Sequence, residues 1–262
     1  MLMKVKANVA DFGRLAGGIL QHALRDGTAS VDAAGSIALG NATKAVALAN
    51  AMAERQAASQ RLAFEPLMVT SEDASGEDRK LLRLLVRART PLAGEEPPDF
   101  SRGGIFVESR KEAEKQVSPT SLSRTVLGQW MRFAAPEMRQ AAREAARSGG
   151  QAAAVRTVGK QTPPFLLTMG PSSTSLAVKS LAFVCKDVKK ELKRLRVWLH
   201  ASQDHLAGVP PLLVVPKLWQ RQARGKISGE LQPCAWQVKL KHDDKEKVSK
   251  MLVLYLVSAG ID

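Results

Sequence analysis

GSIALGNATKAVALAN (35–50) and GPSSTSLAVKSLAFVC (170–185) are two versions of one pattern. At a constant offset of 135, Gly35 meets Gly170, Ala42 meets Ala177, Lys44 meets Lys179 and Ala47 meets Ala182. Val46 and Leu48 fall opposite Leu181 and Phe183, so apolar positions also coincide. Each version turns through glycine and enters an apolar helix that carries one lysine. A repeat on this scale constrains the architecture more than any local motif.

Working outward, two more segments match in the same order. FGRLAGGIL (12–20) lies over LSRTVLGQW (122–130), pairing Arg14 with Arg124 and Gly18 with Gly128. RKLLRLLVRA (79–88) lies over KMLVLYLVSA (250–259). The expected fold is mixed α/β (α+β): two tandem β-α-β-α-β-β units, able to pair with each other as an internal pseudo-dimer.

In the first unit, periodicity predicts strands at 4–8 and 28–35 with helices at about 11–25 and 37–55. Strands at 62–70 and 79–89 close it. The second unit is expected to follow with strands at 104–109 and 163–170 and helices at about 119–134 and 173–194. Its closing strands are drawn from 195–201, 211–218, 234–241 and 250–258. The expected boundaries are residues 1–90 for the first domain, a Pro- and Gly-rich linker at 91–103, and 104–262 for the second. The second unit carries two insertions, a helix-forming one at about 136–161 and an extended loop at about 202–233.

Charge points to a polyanionic partner. Lys and Arg number 39 against 25 Asp and Glu, a net of +14. The excess is uneven: residues 1–92 hold 12 basic and 9 acidic side chains, the remainder 27 and 16. Neutralising phosphates releases condensed counterions, so such a surplus favours nucleic acid. The two cysteines, Cys185 and Cys234, make no disulfide framework and imply a reducing, intracellular setting. No apolar run approaches the roughly 18 residues of a membrane span. The N-terminus enters a strand pattern almost at once, leaving no room for a signal peptide.

Catalysis finds little support. His22, His200, His205 and His242 show no zinc spacing with the cysteines, and no nucleophile elbow occurs. GPSSTSLAVK lacks the second glycine of a phosphate-binding P-loop, and its lysine comes too late. Neither catalytic residue, metal nor cofactor is expected.

The candidate residues are therefore nucleic-acid contacts, and each has a plainer alternative. Ser172, Ser173 or Thr174 can cap the second-unit helix or reach a phosphate at its start. Lys44 and Lys179 are phosphate ligands or ordinary surface lysines. Arg110 and Lys111, in ESRKEAEKQ (108–116), alternate with acids as on a solvated loop. Arg139, Arg143 and Arg147 share one helix face by their spacing of four. Lys217, Arg221 and Arg224 surround Trp219, an arrangement suited to stacking single-stranded RNA, although the indole can equally pack on its own domain. Lys239 and Lys241 lie on one face of a candidate hairpin.

The stretch VKANVADFGRLAGGILQHALRDGTASVDAAGSIALGNATKAVALANAMA (5–53) resembles the stage V sporulation protein S family, a branch of the Alba-like superfamily, and the resemblance spans nearly all of residues 3–89. The most specific part is G-x-x-A-L-x-x-A-x-K-A-V-A-x-A at Gly35–Ala49. The second unit resembles it through GPSSTSLAVKSLAF and the final strand, and departs from it by both insertions. The resemblance implies the β-α-β-α-β-β fold, side-by-side pairing of two units or of two chains, and loops and a hairpin turned toward DNA or RNA. By position it implies contacts at Arg14 and Lys44, and at Arg124 and Lys179. The first-unit hairpin, TSEDASGEDR (70–79), is acidic, which sets it apart from that pattern.

The expected function is non-catalytic binding of nucleic acid, RNA before DNA, within a larger ribonucleoprotein such as an organellar ribosome. The rival is a scaffold whose basic surface meets acidic proteins.

Overall fold

The computed structural model describes residues 2–56, 59–72, 78–89, 104–107, 118–132, 164–198, 212–221, 231–233 and 249–258. The expected mixed α/β class holds: among the described residues four helices pack on a mixed sheet. The first half contains β1 (Leu2–Val5), α1 (Phe12–Arg25), β2 (Thr28–Ala33), α2 (Ser36–Arg55), β3 (Arg61–Glu72) and β4 (Asp78–Arg89). The second contains β5 (Ile105–Val107), α3 (119–132), β6 (Phe165–Thr168), α4 (Gly170–Trp198), β7 (Leu212–Arg221), β8 (Leu231–Pro233) and β9 (Ser249–Ser258).

The sheet runs β1-β2-β4-β3-β7-β9-β6-β5, with β8 added to β7. In the first half β1 is parallel to β2, and β4 is antiparallel to β2 and β3. The second half repeats this: β5 is parallel to β6, and β9 is antiparallel to β6 and β7. The halves meet where β3 and β7 pair antiparallel at Phe64 and Val214.

Matching burial gives the repeat its register. Along α2 and α4 the offset of 135 superposes buried Ala38, Leu39, Ala42, Val46, Ala49 and Ala53 on Ser173, Thr174, Ala177, Leu181, Val184 and Val188. Across β2 and β6 the same offset holds, and the partners place Leu82, Leu84 and Val86 over Leu252, Leu254 and Leu256. The final strands thus align at 170, one residue from the 171 expected. A one-residue slip would exchange the two faces of β9, so only the observed register keeps its leucines on the helices.

The first helices also shift, by almost a turn. Asp11 accepts from the Arg14 amide at 2.9 Å and Ser118 from the Ser121 amide at 3.1 Å, so the N-caps align at 107 rather than 110. Buried Ala16, Ile19 and Ala23 then match Ser123, Val126 and Trp130. Arg124 falls opposite Gly17, and the Arg14–Arg124 match of the sequence dissolves.

One hydrophobic cluster fills the space between helices and sheet through both halves. On the alternate residues of β6, β7 and β9 a second cluster forms from Phe165, Leu167, Leu213, Val215, Val253, Tyr255 and Val257, joined by Ala63. Five of the seven matching first-half positions are polar, Ser30, Asp32, Glu65, Arg83 and Arg87, the exceptions being Ala63 and Leu85. Asp32 and Arg83, which stand where Leu167 and Val253 do, form a two-pronged ion pair at 2.7 and 2.9 Å.

Two second-unit expectations change. Residues 195–198 continue α4 rather than starting a strand. Trp219–Arg221, assigned to a loop, end β7 and pair with β8. Of the strand expected at 234–241, nothing lies within the described residues, and the same holds for the 136–161 insertion.

Candidate nucleic-acid interface

Gly35 and Gly170 open the two repeated helices with φ of 82° and 83°, and Gly35 has ψ of 167°. Backbone of this kind belongs almost wholly to glycine. It lets the chain leave each strand and start a helix within one or two residues. No acidic side chain stands in the first turn of α2 or α4, although helix starts commonly carry one. Neither first turn supplies an anion of its own to the N–H groups and positive dipole end there.

The first turn of α4 touches α2 one turn inside its start. A Cβ on Gly40 would lie 3.1 Å from the Pro171 Cα, so the contact needs the bare glycine. Beside it runs the loop after β1, where Lys6, Ala7 and Asn8 are exposed. Asn41, itself buried, donates from its amide to the Ala7 carbonyl at 2.7 Å and fixes that loop to α2. Lys6 and Asn41 escaped the sequence reading. The signal available was a polar Asn within the apolar run of α2; its second-half counterpart is Leu176.

The predicted residues fare differently. Lys44 is half-buried and Lys179 exposed, at the same position of the two helices. Arg14, in the first turn of α1, and Arg124, a turn deeper in α3, are exposed. Ser172 is exposed, whereas Ser173 is buried and its hydroxyl donates to the carbonyls of Met169 and Gly170. Thr174 likewise donates to the Gly170 carbonyl at 2.9 Å and exchanges a hydrogen bond with Thr168 at 3.0 Å. The Ser173 and Thr174 hydroxyls thus serve the turn, and Ser173 is withdrawn from the surface.

Lys217 is committed elsewhere. Its ammonium lies 3.5 Å from Glu54, and burial pulls its pKa down while Glu54 opposes the fall. Other cations are also held by carboxylates of the chain: Arg25 by Asp26, Arg61 by Glu54, Arg83 by Asp32 and Lys189 by Glu65. Arg221 and Trp219 occupy β7, with side chains outside the described residues. Arg110, Lys111, Arg139, Arg143, Arg147, Arg224, Lys239 and Lys241 also lie outside them.

Among the described residues no helix is long and apolar enough to cross a membrane. Among the same residues no group of three His, Cys, Asp or Glu side chains is placed to hold a metal ion. Comparison with known protein families and with curated proteins returns no match.

Proposed function

We propose that this chain is a pair of Alba-like units in one polypeptide that binds nucleic acid without catalysing a reaction, RNA in preference to DNA. The observation that carries the reading is the packing of the start of α4 against α2 one turn inside its own start, both starts opened by glycine and free of acidic side chains. Two positive helix ends so placed, with Lys6, Lys44 and Lys179 on the same elements, form a surface suited to phosphates. The repeated strand pairing supports the Alba-like reading, and the net charge of +14 supports a polyanion as partner. Contacts are chiefly to phosphate, so sequence preference is weak. A larger ribonucleoprotein is the natural setting for such a protein.

A second reading draws on the cations already neutralised by the chain itself. The β3–β4 register also sets Glu72 opposite Asp78 at an acidic hairpin tip. Both features suit the first half as a scaffold that meets proteins rather than nucleic acid.

Fluorescence anisotropy with labelled single-stranded RNA, duplex RNA and duplex DNA of equal length separates the two. The proposal expects binding to all three, tightest to RNA. Absence of binding to any of them at low salt assigns the chain to the scaffold class.

A further inference from the structure

Among the described residues, ion pairs bridge the halves in opposite directions. α4 packs on β3 and α2 on β7, so each repeated helix reaches a strand of the other half. From the second half, Lys189 of α4 binds Glu65 of β3, whose side chain is buried. From the first half, Glu54 of α2 lies 3.5 Å from Lys217 of β7 and 3.4 Å from Arg61 of its own half.

The register makes these pairs informative. Glu54 and Lys189 occupy the same helix position, 135 residues apart. On the central strands Phe64 faces its own counterpart Val214, an offset of 150 that also matches Leu62 with Leu212 and Pro66 with Pro216. Glu65 and Lys217 then lie on equivalent strands, two positions apart. If two first halves paired, Glu54 of one would approach Glu65 of the other. If two second halves paired, Lys189 would approach Lys217. Only unlike halves bring each helix charge to an opposite strand charge.

We infer that the seam is charge-coded for unlike halves: it accepts the second half of this chain against the first and rejects a second copy of either half. Discrimination of this kind rests on the mismatched charge in the wrong pairing as much as on attraction in the right one. The protein is accordingly an internally paired monomer.

The test inverts the helix charges in the full chain. Glu54→Lys with Lys189→Glu sets like charges against Lys217 and Glu65 within a chain, and matches each half to its own kind in a second chain. Sedimentation over a wide concentration range should give a monomer for the wild type and a concentration-dependent dimer for the double variant. A double variant that stays monomeric at wild-type stability overturns the inference. Should it fail to fold, the reversed pair decides. Lys189→Glu alone should lower the unfolding midpoint, and adding Glu65→Lys should restore it; no restoration overturns the inference as well.

Discussion

The Asn50 amide donates to the Leu62 carbonyl at 2.9 Å, accepts from the Leu62 N–H at 2.6 Å, and reaches the Pro216 carbonyl of the other half at 3.2 Å. Cys185 holds the matching place in α4, and its thiol approaches the matching carbonyl, that of Leu212, at 3.6 Å. Burial pushes that thiol up, Glu65 adds to the shift and Lys189 opposes it. The folded pKa then lies above the unfolded value of about 8.5, so the folded chain keeps a proton that the unfolded chain loses. Stability from this group is whole below about pH 8.5 and falls above it, by up to ~1.4 kcal/mol per pH unit. Denaturant melts of wild type and Cys185→Ala between neutral and alkaline pH should show this slope in the wild type and its loss in the variant. At the other end of the repeat, Gly35→Ala forces a side chain into backbone that glycine alone tolerates. It should cost about 1–3 kcal/mol, read as a lowered unfolding midpoint.

At the scale of elements, the repeated helices were readable because matching positions along them are buried. Burial held small and branched residues in step from Ala38 to Ala53 and from Ser173 to Val188, and the offset of 135 followed. The flanking elements were less legible for physical reasons. α1 is amphipathic, so its exposed Arg14 and half-buried Gly18 lie off the core face and matched Arg124 and Gly128 by coincidence. The caps, Asp11 and Ser118, carry the true register but are chemically different residues. In β9 nearly every residue is apolar, and alternation could not tell leucines from valines by face. The helix–helix contact was invisible, since nothing in the sequence says what Gly40 meets. Gly40→Val places a branched side chain against the Pro171 backbone and should destabilise by about 1–3 kcal/mol, as overpacked sites do. Thermal unfolding measures it, with Gly18→Ala, where an added Cβ meets nothing within 4 Å, as a control that should not destabilise.

For the molecule as a whole, charge is the property most visible in the sequence and the one the fold redistributes most. Lys217 read as part of a basic arm and is instead spent on the seam with Glu54. Ser173 read as a surface hydroxyl and is instead internal to the turn. Lys44 and Lys179 keep their place on the two packed helices, which only the three-dimensional pairing of the halves brings together. Lys6 joins them through the Asn41 tether, a contact between residues 34 apart in the chain. The measurement that tests the central claim most directly is the affinity of the full chain for labelled single-stranded RNA across a salt series. Log affinity should fall steeply and linearly with log salt. Lys44→Ala with Lys179→Ala should weaken binding and lower that slope by about 1–2, since each phosphate neutralised adds ~0.7 for a single strand. Wild-type binding that ignores salt, or no binding even at about 50 mM salt where non-specific contacts are strong, would contradict the account.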